Sequence, residues 1–296
     1  MVKYIHSGSQ QYFAFNIWNT ESAKAVIDGA GSLHCDVILQ TSMNAFELSD
    51  KEELAAFVHS YASKTGIQAY LHLDHCKNET LIYEAIESGW DSVMIDASHK
   101  SLQENIDITN KITAVAKKRN ILVEAEIGQI YGQEDDMANT ADGIVRFEDL
   151  SVFVKYTKVD MLAAAVGTVH GIYRGTPNIQ YDLIDHAAAI TDVPLVIHGG
   201  TGLSDETLSK LLAYKNIKKI NISTDVKLAY RQGIEESILA GLMEKEGFNP
   251  LEVSKRIHDS IQTMTMHKLR LLRKEQPGEN NTCPEYGNEK HSKYYF

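Results

Sequence analysis

Cysteine is scarce in this sequence: Cys35, Cys76 and Cys283 are the only three among 296 residues. So few and so scattered, they exclude a disulfide framework and a thiolate zinc knuckle, and they fit a reducing compartment. Basic side chains are also in deficit. Against 40 Asp and Glu stand 29 Lys and Arg, a net charge of −11, so the average field repels a phosphate polymer or an anionic bilayer. Neither nucleic acid nor membrane is expected as a partner, whereas a locally basic pocket for a small anion is compatible with this balance. No apolar run approaches the roughly 20 residues of a bilayer-spanning helix. The N-terminus, Met1-Val2-Lys3-Tyr4-Ile5-His6, opens into polar residues without a signal-peptide core. A cytoplasmic protein is the expectation.

What is present is an alternation. Short β-type runs at residues 12–17, 36–41, 68–73, 91–96, 121–126, 159–166, 193–198 and 217–222 alternate with longer amphipathic stretches, the pattern of parallel strands with helical crossovers. Helical stretches at 77–88, 101–119 and 205–214 repeat apolar residues every three to four positions, as at Ile108, Ile112 and Val115. Asn78 and Ser204 stand where N-caps belong. Two long helices are expected at 226–246 and 251–275, then a polar tail over 276–296. Eight βα units in this length predict an α/β fold of the (β/α)8 TIM-barrel class with additional C-terminal helices, one domain over residues 1–275. A doubly wound open sheet is the alternative. The segment 128–144, rich in Gly, Asp and Asn, is too long and polar for a routine connection and is a candidate active-site loop.

In such a barrel the chemistry sits at the C-terminal mouths of the strands, and nearly every mouth here carries a polar residue. Asn16 ends the first strand, Gln40 and Ser42 the second, Asp74 and His75 the third, Asp96 the fourth, Glu124 and Glu126 the fifth. His170 follows the sixth, His198 ends the seventh and Asn221 the eighth. Any one of these has a bland reading as a satisfied core group or cap. Several ionisable groups converging on one rim are costly to bury unless a metal ion compensates them. His75, His170 and His198 with an open fourth position match a catalytic zinc site. His72, two residues before Asp74, shares its side of the strand and is expected behind the ligands rather than among them. The other histidines, His6, His34, His59, His99, His186, His258, His267 and His291, lack this placement.

A second constellation suits phosphate. His198-Gly199-Gly200-Thr201-Gly202, just before Ser204, is a glycine-rich strand-to-helix turn whose backbone N–H groups can approach an anion. Asn221-Ile222-Ser223-Thr224-Asp225 follows the eighth strand in the same way. Phosphate sites after strands seven and eight recur in this fold.

These motifs resemble the class II aldolases, in particular the branch of tagatose- and fructose-bisphosphate aldolases. The resemblance rests on Leu71-His72-Leu73-Asp74-His75, on Ser92-Val93-Met94-Ile95-Asp96-Ala97-Ser98-His99 and on Val123-Glu124-Ala125-Glu126-Ile127-Gly128-Gln129. It extends to Gly132-Gln133-Glu134-Asp135-Asp136, Gly167-Thr168-Val169-His170-Gly171 and the two phosphate turns. It implies zinc on His75, His170 and His198, with Asp96 and Glu126 near an alternative metal position. Asp74 would be the acid/base on the aldehyde oxygen, and Glu134 on a mobile loop would move the carbon-bound proton. Zinc would supply Lewis-acid stabilisation of the charge developing beside the carbonyl. Gly171, Gly199, Thr201, Asn221 and Thr224 would hold the dihydroxyacetone phosphate portion, with a monovalent cation, Na+ or K+, nearby. Gly200 and Ser223 in the same turns, and Asn16, Gln40 and Ser42 at the first two mouths, complete the candidate substrate contacts. A homodimer or homotetramer is the expected assembly.

The sequence also departs from the family pattern. Cys76 follows Asp74-His75 where many relatives have His or Gly. Ser223 stands where fructose-bisphosphate-selective relatives often carry Asp. Lys227, three residues after Thr224, and Arg231, a helical turn later, are candidates for the anionic end of the aldehyde; the alternative is that both are solvated helix charges. A phosphorylated ketose of tagatose or fructose type is the expected substrate. A ketose 1-phosphate ending in a sulfonate or a neutral group is the alternative. A Schiff-base aldolase would need a lysine at a strand mouth, and Lys218 and Lys219 stand at the start of the eighth strand. A metal-dependent hydrolase lacks its expected His-x-His on an early strand, and a non-catalytic binding barrel is a remote further reading.

Overall fold

The computed structural model describes residue 5 and residues 10–134, 137–139, 143–173, 175–244 and 246–273, without the side chains of 133–134 and 137–139. Eight parallel strands close into a barrel: β1 (Tyr12–Asn16), β2 (Val37–Thr41), β3 (Ala69–Cys76), β4 (Ser92–Ile95), β5 (Leu122–Ile127), β8 (Met161–Ala164), β10 (Leu195–Ile197) and β11 (Ile217–Ile222). Pairing of Tyr12 with Lys219 and of Phe15 with Ile222 joins the last strand to the first. Closure excludes the open doubly wound sheet.

Period-two alternation sorts the strand residues into two cores. Tyr12, Ala14, Ile38, Met94, Leu122, Met161, Ala163 and Val196 pack together with Ile5. Their strand neighbours Phe13, Phe15, Leu39, Val93, Val123, Leu162 and Ile197 belong to the larger cluster shared with the helices. Further along the barrel's inward parity, the apolar residues give way to Asn16, Gln40, Asp74, Asp96, Glu126, His198 and Asn221, all buried. The site occupies the upper storey of a barrel whose floor is hydrocarbon.

The helices are α1 (Thr20–Ser32), α2 (Met43–Leu48), α3 (Lys51–Thr65), α4 (Glu79–Glu87), α5 (Leu102–Ala116), α6 (Phe147–Tyr156), α7 (Tyr181–Ile190), α8 (Asp205–Leu212), α9 (Thr224–Leu239) and α10 (Pro250–Arg270). Asn78 caps α4 by accepting from the Thr80 N–H, and Ser204 caps α8 by accepting from the Thr207 N–H. Most expected boundaries shift by a residue or more. The strand carrying Asp74 runs on to Cys76. The helix expected to reach residue 246 stops at Leu239, where Gly241 takes φ 66° and the chain turns. The last helix ends at Arg270 and tightens into a 3-10 turn, Leu271–Arg273. Helix α10 packs along α1 and α9. The expected tail over 276–296, with His291 and Cys283, lies outside the described residues, as does His6.

The expected loop over 128–144 contains structure of its own. β6 (Tyr131–Glu134) runs antiparallel to β7 (Met137–Asn139), and β6 also pairs with β9 (Val169–His170). Residues 135, 136 and 140–142 lie outside the described residues. Among the described residues no helix is long and apolar enough to cross a membrane.

Candidate active site

Strand β3 delivers two neighbouring side chains to the same pocket. Alternation would send Asp74 and His75 to opposite faces, but His75 takes φ 44°, and the pairing with β4 shifts register between Leu73 and Cys76. This left-handed residue inside a bulge turns the imidazole back to the mouth. His75, His170 and His198 then converge: their ring centroids are 4.8, 4.5 and 5.8 Å apart, and one ligand atom from each lies within 4.8 Å of the others.

The nitrogens show what such a pocket suits. His198 Nδ1 and His75 Nε2 face each other at 2.7 Å. On its far side His198 places Nε2 2.8 Å from Glu124 Oε1; His75 places Nδ1 3.5 Å from both Asp96 Oδ2 and Glu126 Oε2. Carboxylates accept hydrogen bonds, so each draws the ring proton to its own side and leaves two lone pairs facing one another. That contact requires a shared proton or a cation. Burial works against charge on His75, yet Asp74, Asp96 and Glu126 outweigh it and push its pKa up to about 10. The pocket's field therefore favours a positive guest, and the donor set of three imidazoles fits a divalent metal. His75, Asp96 and Glu126 form a second group able to hold an ion. There, burial opposes ionisation of Asp96, but the His75 ring holds it well below the usual carboxylate range. Burial and the Asp96 charge push Glu126 up to about 8.

Asp74 is held on both oxygens. Gln40 Nε2 donates to Oδ2 at 2.9 Å and Asn221 Nδ2 to Oδ1 at 3.3 Å; Gln40 Nε2 also reaches Asn16 Oδ1 at 2.7 Å. Asn16, Gln40 and Asn221 are thus the frame of the carboxylate. Among the described residues, Asn16 Nδ2, Gln40 Oε1, Asn221 Oδ1 and Ser223 Oγ are buried without a hydrogen-bond partner, polar atoms suited to a hydroxylated ligand. Ser42 caps α2, accepting from Ala45 N–H.

The phosphate turns lie side by side. The Asp225 N–H donates to Thr201 Oγ1 at 3.3 Å. The Gly200 N–H donates to the Asn221 carbonyl at 3.0 Å, which ties the two turns together. Thr224 begins α9, and Gly171 follows the ligand candidate His170. Tyr173, missed in the sequence reading, joins these loops: its hydroxyl donates to the Gly199 carbonyl and accepts from the Val169 N–H.

Three expected residues need placing. Glu134 ends β6, and Gly132 of that strand stands opposite His170; the Glu134 side chain lies outside the described residues. Lys227 is half-buried on α9. Arg231 is 56% exposed and pairs with Glu235 a turn further on. One further residue joins the site only in the folded barrel. Lys219, read from sequence as standing at the wrong end of its strand, is fully buried with Nζ 2.8 Å from Glu124 Oε2. His72, as expected, stands behind the ligands, with Nδ1 2.8 Å from Ser92 Oγ and Nε2 3.5 Å from Glu124. The signal available was parity: Lys219 is two residues from Asn221, and Glu124 two from Glu126.

Comparison with known proteins points to one family. The family model "Fructose-bisphosphate aldolase class-II" matches residues 1–276. A fructose-bisphosphate aldolase of Staphylococcus epidermidis is 32% identical over 261 residues, covering 86% of this chain and 89% of that relative. Among solved structures, the YdjI aldolase of Escherichia coli K12 superposes with a TM-score of 0.75 at 25% identity, over 89% of this chain and 92% of that one. A putative fructose-1,6-bisphosphate aldolase of Coccidioides immitis gives 0.79 at 25% identity, over 91% and 93%.

Proposed function

The chain belongs to the class II fructose-bisphosphate aldolase family, and from that premise we propose that it reversibly cleaves a ketose 1-phosphate or ketose 1,6-bisphosphate, of tagatose or fructose type, to dihydroxyacetone phosphate and an aldehyde with an anionic terminus. The observation that carries this reading is the convergence of His75, His170 and His198 beside a doubly anchored Asp74. The three histidines would hold zinc, which as a Lewis acid stabilises negative charge beside the substrate carbonyl. Asp96 and Glu126 would offer it an alternative position. Asp74, kept as an acceptor by Gln40 and Asn221, takes the proton from the C4 hydroxyl. The O–H electron pair becomes the aldehyde C=O, the C3–C4 bond breaks, and its pair stays on C3. Glu134 then returns a proton to that carbon. In condensation the same two groups work in reverse.

The phosphate would lie against Gly171, Gly199, Thr201, Asn221 and Thr224, with a monovalent cation beside it. Ser223 is uncharged, which leaves the half-buried Lys227 as the group for a terminal anion. The pairing of Arg231 with Glu235 favours a second reading, in which the aldehyde end is neutral and the enzyme is a broader ketose 1-phosphate aldolase. We place the enzyme in the cytoplasm as a homodimer or homotetramer. Metal analysis with an aldol-cleavage assay tests the proposal: one zinc per chain and cleavage lost on chelation and regained with zinc are expected. Full activity after exhaustive chelation would overturn it.

A further inference from the structure

Beneath the three histidines lies a charged pair that the reaction above does not use. Glu124 divides its two oxygens: Oε1 meets His198 Nε2 and Oε2 meets Lys219 Nζ, each at 2.8 Å. All three side chains are completely inaccessible to solvent. In the barrel wall Lys219 is level with Tyr12 and Val196, both part of the apolar floor. An ammonium and a carboxylate sunk at this depth are no gain in stability over apolar side chains of similar volume.

We propose that Glu124 and Lys219 are a positioning pair that fixes the ring of His198 as the Nε2–H tautomer and aims its Nδ1 at the metal position. An ionised carboxylate only accepts, so the proton of His198 has to sit on Nε2 and the lone pair on Nδ1, the nitrogen that faces His75. The Lys219 ammonium only donates. It occupies the second carboxylate oxygen and so stops Glu124 from turning to other donors such as His72, whose Nε2 is 3.5 Å away. A carboxylate behind a ligating imidazole raises its basicity and holds its orientation, and loss of such a partner typically weakens metal binding by about 10–100-fold.

This inference rests on the zinc reading of the three histidines, and the test keeps the two apart. Zinc affinity of the full chain is measured by chelator competition, and the cobalt-substituted protein is read by its visible spectrum, both without substrate. In Glu124→Gln an amide can turn either its oxygen or its NH2 toward Nε2, so the tautomer is no longer imposed. Zinc binding is expected to weaken by about 10–100-fold and the cobalt bands to shift. Lys219→Met leaves the carboxylate unpaired and is expected to lower both thermal stability and zinc affinity. The double variant Glu124→Gln with Lys219→Met removes both charges, so thermal stability should return toward that of the starting protein while zinc affinity stays low. It also decides the matter if either single variant fails to fold. Zinc affinity and cobalt spectrum unchanged in a folded Glu124→Gln, or zinc affinity recovered in the double variant along with stability, would show that the pair only packs. A starting protein that binds no zinc would overturn the metal reading and this inference with it.

Discussion

At the scale of single residues, the two groups proposed for proton transfer stand on different elements. Asp74 is fixed by Gln40 and Asn221 at the mouth of β3, whereas Glu134 ends a hairpin strand outside the barrel wall. Two proton transfers assigned to two such groups should be separable. In Glu134→Ala, exchange of the dihydroxyacetone phosphate C3 proton with deuterated water should slow by about 10²–10⁴-fold, the usual worth of a general base. Asp74→Ala should suppress carbon–carbon cleavage more than that exchange. Equal exchange rates in Glu134→Ala and the unaltered enzyme would remove the assignment. Lys227 offers a second residue-scale test. Its replacement by Ala should lower kcat/KM by about tenfold for aldehydes with a terminal anion, the loss of one partly exposed charge contact, and spare neutral ones. A panel of substrates differing only at that terminus reads this, and indifference to the terminal charge would support the neutral-end reading.

At the scale of elements, the hairpin of β6 and β7 is the part that the sequence presents as loop and the structure presents as sheet. It joins β9, the strand that carries His170, by the pairing of Tyr131 with Val169 and of Gly132 with His170. Gly132 has φ 115°, and a Cβ there would stand 2.3 Å from the His170 carbonyl oxygen, so no other residue fits without parting the strands. Gly132→Ala should therefore detach the hairpin from β9 and displace Glu134 with it. The expected result is a fall in kcat and in C3 proton exchange, with zinc affinity lowered as well because the clash falls on the backbone of His170, and with the thermal midpoint of the metal-free protein little changed, because the barrel core makes no use of this contact. Retained exchange in the variant would show that Glu134 does not depend on the docked hairpin.

At the scale of the molecule, a metal that binds only the folded barrel links the site to global stability. A ligand at 100 times its Kd adds about 2.7 kcal/mol, which for a chain of this size raises the thermal midpoint by roughly 2–4 °C per kcal/mol. Chelation should lower the midpoint by that order. His170→Ala should abolish the zinc-dependent increment and turnover together while its circular dichroism remains that of a folded barrel. An increment that survives in His170→Ala would place the ion elsewhere. Much of this architecture was legible beforehand. The eight strands announce themselves by local alternation, and Asn16, Gln40, Asp96, Glu126, His198 and Asn221 stand on the inward parity of short apolar runs, so a period-two pattern suffices to put them on one face. The resemblance of the motifs to class II aldolases came from the same residues. Alternation fails at His75, because its inward direction depends on a positive φ and a shifted register against β4, which no local pattern encodes. The hairpin pairing of β6 with β9 was invisible for a similar reason: it joins segments far apart in the chain. Glu124 and Lys219 meet across 95 residues. By itself the sequence determined which side chains of the regular strand segments line the barrel, since that follows from the period of a strand. Only the closed tertiary structure decided which of them touch, since those distances depend on the stagger of all eight strands around the ring.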